Sequence, residues 1–130
     1  MCIRDSNQYE LAITQWKQLL TEHPDYSMRR DTQYYIGVAH YNLQQFDEAV
    51  DSFTTLRDSL PNIADYRRSE KALFYMAISQ YRVGKAAAAE GAESLRQSIK
   101  TYQQFLENYE SSELTPEVLY FQGEALFELD

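Results

Sequence analysis

Residues 43–50 read Leu43-Gln44-Gln45-Phe46-Asp47-Glu48-Ala49-Val50. Two glutamines interrupt an apolar pattern that has helical spacing on both sides. Before them, Ile36, Gly37, His40, Tyr41 and Leu43 fall on one face of a helix. After them, Phe46, Ala49, Val50, Phe53 and Leu56 fall on one face of a second. Both sets follow the i, i+3, i+4, i+7 rule of an amphipathic helix that buries one stripe. Asp47 and Glu48 form a carboxylate pair, and at a helix start they favour the positive end of the dipole. Pro61 stops the second helix, because proline cannot continue one. Two short helices with a tight connection make a helical hairpin.

The spacing repeats along the chain. Upstream, Tyr9, Ala12, Trp16, Leu19 and Pro24 match the second helix of such a hairpin. Downstream, Leu73, Met76, Ala77, Tyr81, Val83 and Gly84 match a first helix, and Ser98, Tyr102, Phe105 and Glu110 a second. Leu119, Gly123, Leu126, Phe127 and Leu129 match one more first helix. The unit resembles the tetratricopeptide repeat, a helix–turn–helix of about 34 residues. In the 30–61 unit the family's small first-helix residue falls on Gly37, its alanine on Ala49, its aromatic on Phe53 and its proline on Pro61. Gln33 stands where the family has Trp or Leu, and His40 where it has Tyr, which weakens the first helix's core contacts. The resemblance implies an all-α solenoid of helical hairpins, a right-handed superhelix with about six helices. It divides the chain into a second helix at 7–24, a complete repeat at 30–61, another at 63–110 and a first helix at 114–130. Helices of a hairpin cross closely at small residues, so Gly37 is expected against Ala49.

Two connections, Pro24 to Arg30 and Glu110 to Pro116, are about three residues longer than the repeat consensus, and Pro61 to Glu70 about six. Gly84 and Ser98 are fourteen apart where five are expected, leaving nine extra residues within 85–97. That segment holds Ala86-Ala87-Ala88-Ala89-Glu90-Gly91-Ala92. Alanine is the strongest helix former, so a longer second helix is expected despite Gly91, adding about 13 Å. It is either a protruding contact element or an extension of no consequence. The stretches His23-Pro24-Asp25-Tyr26-Ser27 and Asn108 to Gly123 are loosely similar to bacterial envelope proteins of the Tol-Pal coordinator and outer-membrane assembly lipoprotein class. That similarity points to a periplasmic or envelope setting, with a cytoplasmic one open.

The 130 residues carry a net charge of −8, with 44% hydrophobic and 25% charged residues. This composition is that of a globular chain, not a disordered one. The acidic balance disfavours nucleic acid, which the average surface would repel. No apolar run approaches the ~20 residues of a spanning helix, so no membrane insertion is expected. Cys2 is the single cysteine, which excludes an intrachain disulfide and any metal site built on cysteines. The opening Met1-Cys2-Ile3-Arg4-Asp5-Ser6 resembles a translated sequencing adaptor, so 1–6 are expected to stand outside the fold. With 126–130 stopping inside a helical pattern, the chain is expected to be a window of a longer array whose uncovered repeat ends self-associate or melt at low stability.

No arrangement of residues with catalytic spacing is apparent in the sequence. Gly84-Lys85 lacks the rest of a phosphate loop. His23 and His40 lack ligand spacing, and His40 sits at a core-facing position. No catalytic, cofactor or metal residue is therefore expected. The eleven Tyr, six Phe and one Trp are more informative. Trp16, Phe53 and Phe105 fall on core positions. The resemblance implies a concave, partner-binding groove lined by Tyr34, Val38, Tyr41, Asn42, Phe74, Ile78, Tyr81, Arg82, Tyr120, Glu124 and Phe127. Tyrosine gives contact area plus a hydroxyl at low entropic cost, which suits peptide recognition. The same rings could instead pack between hairpins. Tyr34 and Val38 stand where chaperone-binding members carry the Lys and Asn that clamp a terminal carboxylate, which argues against that ligand. The expected function is a non-catalytic module that binds a protein or peptide partner. The alternatives are an architectural segment of a larger envelope scaffold and a regulatory array attached to an enzyme outside this chain.

Overall fold

The computed structural model describes the backbone of residues 3–129 and the side chains of 7–129. Met1, Cys2 and the side chains of 3–6, on which the adaptor reading partly rests, lie outside the described residues. The described residues form six α-helices: α1 (Ile3–Glu22), α2 (Arg29–Asn42), α3 (Phe46–Asp58), α4 (Ser69–Ala86), α5 (Ala92–Asn108) and α6 (Thr115–Glu128). Two 3₁₀ turns, Ile63–Asp65 and Ala88–Gly91, lie in the connections, and no strand occurs among the described residues. The architecture is all-α and built of hairpins. It divides into two compact units, Met1–Ser59 and Leu60–Asp130.

In the first unit α1 packs on α2, and α2 pairs with α3. The α2–α3 turn is made by Gln44, whose φ of 60° puts it in the left-handed region. The hairpin core is Ile36, Ala39, Ala49, Phe53 and Leu56, all buried. Gly37 does not meet Ala49 as its nearest neighbour. A Cβ built on it would lie 2.7 Å from Cε1 and Cζ of Phe53. The glycine makes room for a ring, not for a small residue on the facing helix. The two departures from the repeat pattern become polar ties instead of losses. Gln33 Nε2 donates to the Ser52 carbonyl of α3 at 3.2 Å, and His40 Nδ1 lies 2.7 Å from Gln45 Oε1. His40 is buried, as expected of a packed histidine. Trp16, expected in the core, is only half-buried and stacks on Tyr35 of α2 with centroids 5.9 Å apart.

In the second unit α4 and α5 form the hairpin, and α6 packs against both. Leu73, Met76, Ala77, Ser98, Tyr102 and Phe105 are fully buried between them. A buried hydrogen bond, Thr101 Oγ1 to Gln80 Oε1 at 2.7 Å, ties α5 to α4. The second helix is longer than α3, as expected, but the alanine run is not what lengthens it. α4 ends at Ala86, Ala88 takes a φ of 53°, and Ala88–Gly91 is a 3₁₀ turn. α5 has 17 residues against 13 in α3, so it takes up about four of the nine extra residues. The reason is packing. A Cβ on Gly91 would lie 1.8 Å from the Gly84 carbonyl oxygen, and one on Gly84 would lie 2.8 Å from Leu95 Cγ. The two glycines let the turn fold back onto the end of α4. That close approach outweighs the helix propensity of four alanines, each worth less than about 1 kcal/mol.

Candidate partner-binding surface

The first unit carries four of the expected groove residues, all on α2. Tyr34 is buried at 4% exposure. Its ring lies edge-on to Tyr35 at 5.2 Å and to Phe53 at 6.1 Å. It is therefore a core ring of this unit. Val38, Tyr41 and Asn42 are half-buried, and Tyr41 meets Phe46 edge-on at 5.7 Å across the hairpin turn.

The second unit carries the other seven, on α4 and α6. Ile78 and Tyr81 are both 4% exposed. Tyr81 belongs to a cluster with Leu95 and Ala125, flanked by Ile99, Phe121 and Leu129. Its ring lies 6.0 Å from that of Phe121, and Lys85 Nζ stands 5.8 Å from its centroid, within reach of a cation–π contact. Tyr81 thus anchors α6 to the α4–α5 hairpin. Phe74 is half-buried beside Tyr75, and Arg82 is exposed. On α6, Glu124 is half-buried, while Tyr120 and Phe127 stand out at 63% and 68% exposure.

Packing has therefore claimed Tyr34, Ile78 and Tyr81. Val38, Tyr41, Asn42, Phe74, Arg82, Tyr120, Glu124 and Phe127 keep surface toward solvent. The sequence reading missed two residues. Leu119 and Leu126 had core-like repeat positions, yet they are 53% and 52% exposed beside Tyr120 and Phe127. Helical spacing identified the stripe; only the fold shows that no described helix covers it.

Two clefts lie away from these residues. One, of about 510 Å³, is lined by Leu19, Glu22, His23, Pro24, Asp25 and Tyr26. The other, of about 420 Å³, is lined by Glu70 and the segment 107–112. Tyr109 in that second wall hydrogen-bonds Ser69 at the start of α4. Burial raises its phenol above the ordinary value of 10.0, and the Glu70 carboxylate adds to the shift. Among the described residues no group of three or more His, Cys, Asp or Glu side chains could hold a metal ion. No helix among them is long and apolar enough to cross a membrane.

The family comparison agrees with the hairpin geometry. The tetratricopeptide repeat model matches residues 4–62, which takes in α1, α2 and α3. That match begins inside the stretch read as an adaptor, and α1 begins at Ile3, so neither sets that stretch apart from the fold. A search of curated proteins returned no match. The α4–α5 hairpin continues the same helical-hairpin fold beyond the matched residues. Tetratricopeptide repeats are protein-interaction modules and are generally non-catalytic, which supports a scaffold for protein contacts in general.

Proposed function

We propose that the chain binds a peptide or helical segment of a protein partner through the residues that packing leaves open. The site we propose lies on the second unit and comprises Phe74, Arg82, Tyr120, Glu124 and Phe127; Val38, Tyr41 and Asn42 are proposed as contacts of the first unit taken by itself. We take 30–61 and 63–110 as the two complete repeats, and 114–130 as the further first helix that presents Tyr120, Glu124 and Phe127. The observation that carries the reading is the exposure of Tyr120 and Phe127, seven residues apart on one face of α6. Large rings left in water at helical spacing are a cost to a folded chain unless they meet a partner. Rings with a polar rim are what interface hot spots are made of.

The test begins with peptides selected from a displayed library against the 130-residue protein. Their affinity is then compared by calorimetry for the parent, Tyr120→Ala and Phe127→Ala. Each truncation is expected to weaken binding by more than tenfold with helical content unchanged. Equal affinities across the three proteins would overturn the proposal. Tyr81→Ala is unsuited to this test, because it removes a core anchor together with any contact.

A further inference from the structure

Local preference and packing disagree in the connection between α4 and α5. Ala86, Ala87, Ala88 and Ala89 are of the residue type most at home in a helix, and all four, with Glu90, are exposed. Burial of their side chains therefore does not set their shape. Yet Ala88 takes a φ of 53°, in the left-handed region where a Cβ crowds the following carbonyl. α5 then starts from Gly91 with no side-chain cap, so its first turn lacks the local hydrogen bond that usually fixes a helix start. One contact opposes a straight run of helix. Gly91 lies against the Gly84 backbone, and one turn further on Leu95 fills the notch that Gly84 leaves.

That contact is shared with α6. Leu95 is buried in one cluster with Tyr81 of α4 and Ala125 of α6, and Phe121 and Leu129 of α6 pack against it. Lys85, in the last turn of α4, stands over the Tyr81 ring. The turn and the seat of α6 thus meet at Gly84, Leu95 and Tyr81.

We infer that residues 85–95 are a two-state latch on α6. In the closed state Gly91 folds onto Gly84, and Leu95 walls the cluster that holds Tyr81 and Ala125. In the open state the alanines continue α4 as helix and the first turn of α5 comes away. Leu95 then leaves Tyr81 and Ala125 with one wall missing. Local preference drives opening and packing drives closing, and such opposition makes an element bistable. The rest of the hairpin does not take part, because the fully buried Tyr102 and Phe105 hold α5 further along. α6 is therefore loosened in a local step that leaves the α4–α5 core folded. The meaning for binding rests on the function proposed above: with the latch closed, Tyr120 and Phe127 are carried on a fixed helix, and a partner need not order it. The latch itself is read without any peptide, so either proposal can fail without the other.

The test is amide hydrogen exchange, followed by NMR on the 130-residue protein. Ala88→Gly suits the left-handed φ and disfavours the helical alternative, so it closes the latch. The protected amides of 85–95 and of α6 should slow together by about tenfold, with those of Tyr102 and Phe105 changing much less. Gly91→Ala forbids the close approach to Gly84. It should speed exchange in the same two segments, and the Cα shifts of 86–90 should move to helical values. Where Gly91→Ala is too unstable to fold, Ala88→Gly decides alone. Equal slowing of every amide in Ala88→Gly would overturn the inference, as would an α6 that keeps the parent's rate while 85–95 slows. A folded Gly91→Ala whose residues 86–90 stay non-helical would overturn it too.

Discussion

At the residue scale, the glycines and their neighbours decide where helices can touch. Gly91 lies so near the Gly84 carbonyl that any Cβ would strike backbone, which has no rotamer to yield. Gly91→Ala is therefore expected to lower the urea midpoint by the equivalent of more than about 1–3 kcal/mol, the usual cost of overpacking. Gly123→Ala is the contrast. It enters open space within a helix and should stabilise by about 0.5–1 kcal/mol in dilute solution. Equal effects at the two sites would mean that the close approach of Gly84 and Gly91 is absent in solution. Ala49, fully buried on α3, has no slack either. Ala49→Leu should cost about 1–3 kcal/mol, and an unchanged midpoint would count against the α2–α3 packing.

At the element scale, Tyr109 ties the α5–α6 connection to the first turn of α4 through Ser69. Because burial, and then Glu70, hold its phenol above 10.0, the fold resists forming the tyrosinate while the unfolded chain does not. The stability this contributes is whole below about pH 10 and is lost as pH rises through the folded value. Between roughly pH 9 and 11 the denaturation midpoint of the parent should fall more steeply than that of Tyr109→Phe. Identical slopes would remove Tyr109 from the alkaline response. The helices themselves were legible in the sequence, because a stripe with 3.6-residue spacing flanked by proline is a local signal. The fate of 85–97 was not. Four alanines argue for helix on propensity alone, and the fold-back at Gly91 depends on a contact with Gly84 that spacing does not encode. Which of the expected groove residues stay exposed was only partly legible for a similar reason. The family resemblance implied that Tyr34, Ile78 and Tyr81 line a groove together with Phe74 and Phe127. Which of them packing claims depends on Phe53, Leu95 and Phe121, which belong to other elements.

At the scale of the whole molecule, the chain divides at Ser59–Leu60, and the second unit has a core of its own. The α4–α5 hairpin supplies Leu73, Met76, Tyr102 and Phe105, and α6 closes on it through Tyr81, Leu95 and Ala125. Its helix pairings, α4 with α5, α5 with α6 and α4 with α6, all lie within residues 60–130. A piece of that size is near the lower limit at which one core suffices, so its net stability will be a few kcal/mol at most. Residues 60–130 expressed alone should still give a helical spectrum and a cooperative melt. In that setting Tyr81→Ala becomes decisive. Truncating a buried ring costs about 3–5 kcal/mol, which should consume the margin and leave the piece largely unfolded at room temperature. If Tyr81 were a ligand contact and not an anchor for α6, the truncated piece would melt like its parent. A piece that gave no cooperative melt even with Tyr81 in place would mean that the second unit draws its stability from outside itself.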